Sequence, residues 1–417
     1  MSTAMAFQTF VTGGVHVLIG IGGGKFSKPV YYPIWGAGTL VSDWGPVLAD
    51  LRHNGRTDII TNGGGISVLL NQGKGVFEDG IWTKVGGRAG CGVKGDFNGD
   101  GHPDLAVNNA NGISILLGTG KYATPFAAGT DIALAGAGCL IDADVNGDGK
   151  LDLLVPVNGT LNTYLGNGDG TFTLTSTTPT PSGGTFALGD FNHDGKIDFV
   201  TSGNLIAYGN GDGTFQNPVT LIANPPGGGF SGVAAGDINN DGWTDIAFTS
   251  DVFPVDANIT VLLNNRKGSF TAVPANFGAL TIDPILVDLN GDGKLDLVLL
   301  ATASGAAAIA LGNGKGGFTF DPPLLGGPII DTPGLIQVAD VNGDGIPDIL
   351  ISGSDTLLVY LGEAGATYAT PFGVGLGPSP GSVLVENLHG QSPKKGLPDI
   401  VVPDNSGGID VLFNTTP

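Results

Sequence analysis

The sequence predicts an all-β protein, a closed ring of short four-stranded antiparallel sheets, and three observations carry that prediction. An acidic block, Asp-x-Asn-x-Asp-Gly-x-x-Asp followed by apolar residues, recurs along nearly the whole chain. Each copy sits among four short runs of strand-forming residues separated by turn residues. Finally, 74 Gly and 26 Pro beside 41% apolar residues describe many short elements joined by tight turns, in which helices are hard to build.

The block opens at Asp96, Asp144, Asp190, Asp237, Asp288 and Asp340, and degenerate versions open at Asp50 and near Glu386. The eight starts are separated by 46, 48, 46, 47, 51, 52 and 46 residues, the period of one supersecondary unit. In the unit around Asp96 the runs are 91–96, 104–108, 112–117 and 122–127. The third and fourth are joined by a Gly-rich turn ending in Phe, as in LGNGDGTF at 165–172, where Gly supplies positive φ and Phe anchors the next strand. Four antiparallel strands per unit, repeated radially, make a β-propeller, here one domain over 1–417 with eight blades, or seven as the alternative. Residues 6–30 read as strands two to four of a unit and 382–414 as strands one to three. Completing one blade from both chain ends would close the ring and remove its open edges.

The first six positions of the block match the start of an EF-hand, which also requires a bidentate Glu at position 12 and flanking helices. Position 12 is Val107, Val155, Thr201, Phe248, Leu299 and Ile351, so that reading fails. What remains is a nine-residue loop with side-chain oxygens at positions 1, 3, 5 and 9 and a backbone carbonyl at position 7. In chain order the candidate ligands are Asp96, Asn98, Asp100, His102 and Asp104; Asp144, Asn146, Asp148, Lys150 and Asp152; Asp190, Asn192, Asp194, Lys196 and Asp198. The second half of the ring repeats them as Asp237, Asn239, Asp241, Trp243 and Asp245; Asp288, Asn290, Asp292, Lys294 and Asp296; Asp340, Asn342, Asp344, Ile346 and Asp348. Hard oxygen donors at five points suit Ca²⁺, about six ions per chain, and a ligand acting through its carbonyl explains the scatter at position 7. Two carboxylates held unligated at ~4 Å repel by about 4 kcal/mol at an effective dielectric of 20, a cost that a mere turn would not carry. Six loops hold 18 of the 38 acidic residues, and six Ca²⁺ would bring the formal charge from −21 to −9. At the first loop Arg52 stands at position 3 and Asn54 at position 5, and the last is interrupted by Pro393, Lys394 and Lys395, so metal is not assigned to either.

These loops and their spacing resemble the FG-GAP/VCBS repeat family, the calcium propellers of integrin α-subunit heads, fungal propeller lectins and many bacterial exported proteins. The resemblance covers almost the whole chain. It implies calcium loops between the first two strands of each blade, on one face, and ligand classes that include glycans and proteins.

The acidic balance argues against nucleic acid as a partner, and no apolar run approaches the ~18 residues of a membrane span. Met1 to Phe10 lacks the basic-then-apolar pattern of a secretory signal; the calcium chemistry nevertheless implies an extracellular, cell-surface or periplasmic location, with the signal removed or export by another route. No catalytic constellation stands out, the five histidines (His16, His53, His102, His193 and His389) being scattered. The expected function is therefore non-enzymatic binding of a glycan or protein on the propeller surface, with a purely structural surface protein or a polysaccharide lyase as the alternatives. Trp243, at a position expected to face outward, is the best candidate for stacking on sugar, and Trp82 and Trp44 are expected in inter-blade packing. Cys91 and Cys139 each lie five residues before their loop's first Asp; they are expected to be buried small hydrophobes, because equivalent positions on neighbouring blades should exceed the ~7 Å Cα limit of a disulfide, with a disulfide between blades as the alternative.

Overall fold

The computed structural model describes residues 14–22, 25–26, 30–33 and 46–413, except 63, 79, 182–183, 224–229, 251–258, 267–268, 276–280, 302–305, 321–332, 354, 377–382, 387, 389–397 and 405–407. Among the described residues every regular element is a strand, and seven sheets are four-stranded antiparallel blades, one carrying a short extra strand. The first blade comprises Val47–Ala49, Asp58–Asn62, Ile66–Leu69 and Ile81–Thr83. The second comprises Ala89–Gly95, Asp104–Asn109, Gly112–Gly118 and Phe126–Ala128, and the remaining five follow the same order, ending with Pro333–Ala339, Asp348–Gly353, Thr356–Tyr360 and Phe372–Gly375.

The middle strands of each blade are apolar on both faces because each blade is sandwiched between two others. In the second blade Leu105 and Val107 pack with Ile60 and Val68 of the first, while Ala106 packs with Leu153 and Val155 of the third. The period of two thus sends alternate residues of one strand to opposite neighbours. The scheme repeats around the molecule, with Leu154 and Leu161 against Phe199, Val200 against Ile246 and Phe248, and Val298 and Leu300 against Ile349 and Ile351. Each such side chain, fully buried, contributes about 1.5–3 kcal/mol, so the inter-blade seams hold the fold together. First strands such as Ala89–Gly95, Ile141–Ala143 and Phe186–Gly189 are rich in small residues and mostly half-buried; fourth strands carry exposed apolar residues such as Leu174 and Val219.

Among the described residues the expected eighth four-stranded antiparallel blade is not formed; the count there is seven, the alternative named above. The last unit supplies Leu384–Glu386, Asp399–Asp404 and Gly408–Phe413. Along Gly408–Phe413 lies Gly14–Gly22, running parallel, with Val30–Pro33 and Lys25–Phe26 folded back on it, so this six-stranded sheet is mixed. The N-terminal stretch is one nine-residue strand with two short ones, where three successive strands of a unit were expected. Ile400 and Val402 of this sheet pack with Leu350 and Val359 of the seventh blade, and Leu388 and Val401 pack with Leu48, Ile59 and Leu69 of the first. The register also moves the start of the last unit. Glu386 pairs with Asp399 as Gly95 pairs with Asp104, so Glu386 precedes position 1 and does not occupy it.

Three further expectations are corrected. Cys91 and Cys139 form a disulfide, with Cα atoms 5.0 Å apart. Both sit off the regular ladder, Cys91 at the register shift between Ala89 and Gly92 and Cys139 before the strand Ile141–Ala143, so equal offsets in the sequence are not equal places in the two ladders. Residues 122–125 are turn, closed by the Thr119 N–H on the Pro125 carbonyl, so the fourth strand of that blade starts at Phe126. Trp82 lies on an outer strand at 43% exposure instead of between blades; Trp44 and Pro393 to Lys395 lie outside the described residues. No helix of the described residues is long and apolar enough to cross a membrane.

Candidate functional site

The acidic loops all connect the first two strands of a blade, and in each the inner strand's last residue pairs with the position-9 Asp, as in Gly95 with Asp104, Ala143 with Asp152 and Ala339 with Asp348. Position 1 organises the turn. Asp96 accepts the N–H groups of Gly99 and Asp100 on Oδ1 at 2.8 and 3.1 Å, and that of Gly101 on Oδ2 at 2.9 Å. Asn98 Oδ1 accepts from Asp100 N–H at 2.9 Å, and Asp100 Oδ1 from His102 N–H at 2.8 Å. The bonds from the position-5, -6 and -7 amides recur, with at most one missing, in the loops at Asp144, Asp190, Asp237, Asp288 and Asp340. Asx-type bonds of this sort are the local reason that Asp and Asn occupy alternate positions. Position-6 glycines, such as Gly101 at φ +85°, have open space around a hypothetical Cβ; the left-handed backbone is what requires glycine there.

Position 9 differs from the rest. Asp104, Asp152, Asp198, Asp245, Asp296 and Asp348 are at most 1% exposed. One carboxylate oxygen accepts the N–H of the position-2 residue at 2.8–3.0 Å, and the other accepts an N–H at or just past the end of the third strand at 2.7–2.9 Å. Burial is the main influence, pushing all six carboxyls up, Asp198 and Asp245 to about 6; the backbone donors oppose it, and the position-5 carboxylates add repulsion. In five of these loops position 1 adds its repulsion as well, so positions 1, 5 and 9 share one field.

The repeat pattern did not reveal two sets of residues on which this depends. Position 2 is apolar and buried in every loop (Phe97, Val145, Phe191, Ile238, Leu289 and Val341), and the signal was the constant apolar residue after the first Asp. In five blades the donor to the position-9 carboxylate is a glycine, Gly118, Gly166 and Gly312 ending the third strand and Gly209 and Gly362 lying two residues past it, where a Cβ would lie 2.0–2.4 Å from the position-8 carbonyl oxygen. In the fifth blade this place is taken by Asn264, whose Nδ2 donates to Phe191 O of the preceding blade at 2.7 Å; Asn71 of the first blade donates likewise to Leu388 O.

Adjacent loops also touch through position 4, which is left-handed throughout. His193 stacks on Trp243 of the next loop with centroids 4.0 Å apart and planes at 8°, His53 meets His102 at 4.8 Å, and Asn240 Nδ2 donates to Gly293 O. Trp243 is therefore half-buried with one face covered by His193, and does not point freely outward. Lys150, Lys196 and Lys294 at position 7 reach the position-5 carboxylates at 3.6, 3.5 and 2.6 Å, exposed pairs of small energetic weight. Between the first two loops lies a cleft of about 360 Å³ lined by residues that include Asp50, His53, Lys94, Asp96 and His102.

Among the described residues, no three His, Cys, Asp or Glu groups converge as a ready-made metal cage. The donor chemistry nevertheless fits a hard divalent cation: carboxylate and amide oxygens at positions 1, 3, 5 and 9, with mutual repulsion that a bound cation would relieve.

The FG-GAP-like repeat pattern matches residues 144–201, 190–248 and 288–351, and the FG-GAP repeat pattern matches 92–123. The chain carries FG-GAP repeats. Together these stretches contain all six intact loops and neither degenerate one. No curated protein sequence matches the chain. Among solved structures, an Agrocybe aegerita lectin that recognises non-reducing terminal N-acetylglucosamine is 21% identical, over 82% of this chain and 92% of its own, with a TM-score of 0.53. A Bacillus licheniformis rhamnogalacturonan lyase is 13% identical over 95% and 79%, with a TM-score of 0.57, and Saccharomyces cerevisiae Sqt1 is 9% identical over 92% and 98%, with a TM-score of 0.61. These likenesses extend to the fold alone.

Proposed function

We propose that this FG-GAP propeller is a calcium-stabilised extracellular binding module, which takes a glycan or a protein on its surface and catalyses no reaction. The observation that carries the reading is the position-9 aspartate of each intact loop, buried, fixed by two backbone N–H groups and repelled by the other loop carboxylates. Calcium would be held by the side chains at positions 1, 3, 5 and 9 and the carbonyl at position 7 of the six intact loops. When bound, it neutralises the repulsion and pins the first hairpin of each blade. The strongly shifted carboxyls, Asp198 and Asp245, have both oxygens engaged in holding that hairpin, which supports scaffolding over proton transfer.

An extracellular setting suits loops that need abundant calcium, and the Cys91–Cys139 disulfide accords with an oxidising compartment. The two chain ends would complete the ring through the mixed sheet. Asn71 donates to Leu388 O across that seam as Asn264 does to Phe191 O between neighbouring blades. For binding, the rigid ring offers clefts between loops, and the one between the first two loops combines polar side chains with the paired rings of His53 and His102. A glycan array probed with and without Ca²⁺ tests this part. Retention on a defined glycan that EDTA abolishes is expected; turnover of an acidic polysaccharide, with double-bond formation, would contradict it.

A further inference from the structure

The loop that opens at Asp50 departs from the other six at two linked ligand positions, 3 and 5. Position 3, Asn in every intact loop, is Arg52, and its side chain is only 10% exposed. Its Nη2 donates to Oδ1 of the fully buried position-9 residue Asp58 at 2.9 Å and to Asn71 O at 2.7 Å. The surrounding turn is otherwise kept: Asp50 accepts the Asn54 and Gly55 N–H groups, Asn54 Oδ1 accepts from Arg56, and Asn71 N–H donates to Asp58 Oδ1. Charge is conserved as well. At positions 1, 3, 5 and 9 an intact loop has three carboxylates and would be left at −1 by a divalent ion; here position 5 is the neutral Asn54, and Asp50, Asp58 and Arg52 also sum to −1, with position 7 adding a cation in this loop (Arg56) as it does at Lys150, Lys196 and Lys294.

We propose that Arg52 is a tethered cation standing where the other loops take calcium, so that the first blade is built to hold its hairpin without metal. The inference rests on the calcium reading of the six intact loops. A guanidinium suits the role, because it stays charged at any relevant pH and presents several donors in a rigid fork to a carboxylate and a carbonyl together. It is also covalently attached, so dilution of calcium does not remove it. The electrostatics of the two loop types agree. Burial raises the Asp58 carboxyl and Arg52 pulls it back down, whereas at the position-9 residues of the intact loops the neighbouring carboxylates push the same way as burial.

Hydrogen–deuterium exchange on the unaltered full chain, with calcium and then with EDTA, separates the possibilities. Amides of the six intact hairpins should exchange about tenfold faster or more once calcium is removed, while those of 47–62 stay within about twofold. The double variant Arg52→Asn with Asn54→Asp should bind one calcium ion more than the unaltered chain, and its 47–62 segment should become EDTA-sensitive like the rest. If the six hairpins respond to EDTA and 47–62 responds equally, or if the double variant gains no ion, the tethered-cation assignment is overturned. If no hairpin responds, it is the calcium reading itself that fails.

Discussion

Asp104 has a carboxylate that receives the Phe97 and Gly118 N–H groups inside a closed seam, so its removal strands two buried donors at once. Each such donor costs about 1–3 kcal/mol, and Asp104→Ala should lose about 2–6 kcal/mol in denaturant unfolding of the calcium-free protein. A loss under 1 kcal/mol would show that the loop does not depend on this anchor. The raised carboxyls make a second prediction. Asp198 and Asp245 titrate near 6 in the folded chain, against about 3.9 in an unfolded one, so folding strengthens their hold on the proton. Their stabilising contribution is then complete below about pH 4 and is lost as pH rises through about 6. In EDTA the melting temperature should fall across that window; a rise would contradict the account. Positions 1, 3, 5 and 9 were legible in the sequence because their chemistry is local and repeated. The glycine partner of position 9 was not, since Gly118 lies 14 residues away and meets Asp104 only once the hairpin and third strand have paired.

In five of the seven blades a glycine at or just past the end of the third strand lies against the position-8 carbonyl, where a Cβ would not fit. At Gly166 a Cβ would sit 2.2 Å from Leu151 O, so Gly166→Ala should cost about 1–3 kcal/mol by overpacking, measured by denaturation against an exposed control such as Gly147→Ala. That control carries its own φ strain at +72° but has open space, so equal losses at the two sites would remove the steric argument. Between blades, the Cys91–Cys139 bridge closes a span of 48 residues. Chain-entropy reasoning gives it about 4 kcal/mol, and reduction or a double Cys→Ser change should lower the melting temperature; no change would make the bond incidental. Strand identity was readable from apolar runs such as DLAVNN and GISILLG. The disulfide was misjudged because equal sequence offsets do not imply equal places in a ladder: Cys91 lies at a register shift and Cys139 before its strand begins.

Along the chain, the seven four-stranded blades of the described residues followed directly from the period, since each acidic block and its four strand-forming runs form one unit that buries its faces only against neighbours. The eighth start misled because its motif at 386–399 keeps the position-9 partner, Leu388 N–H to Asp399, yet supplies only three antiparallel strands before a parallel N-terminal strand takes the next place. Parallel pairing between chain ends leaves no local signal in either segment. Stability at this scale should track calcium. Each site adds about 2.7 kcal/mol when the ion is ~100-fold above its Kd, so six would together match or exceed the roughly 5–15 kcal/mol of an ordinary domain. Mg²⁺ should rescue poorly, because it demands a smaller octahedral shell. The most direct measurement is the calcium content and calorimetric melting temperature of one sample at pH 7, before and after EDTA. Six ions per chain and a markedly lower melting temperature after chelation are predicted; fewer than four ions, or an unchanged melting temperature, would show that the acidic loops are turns and not calcium sites.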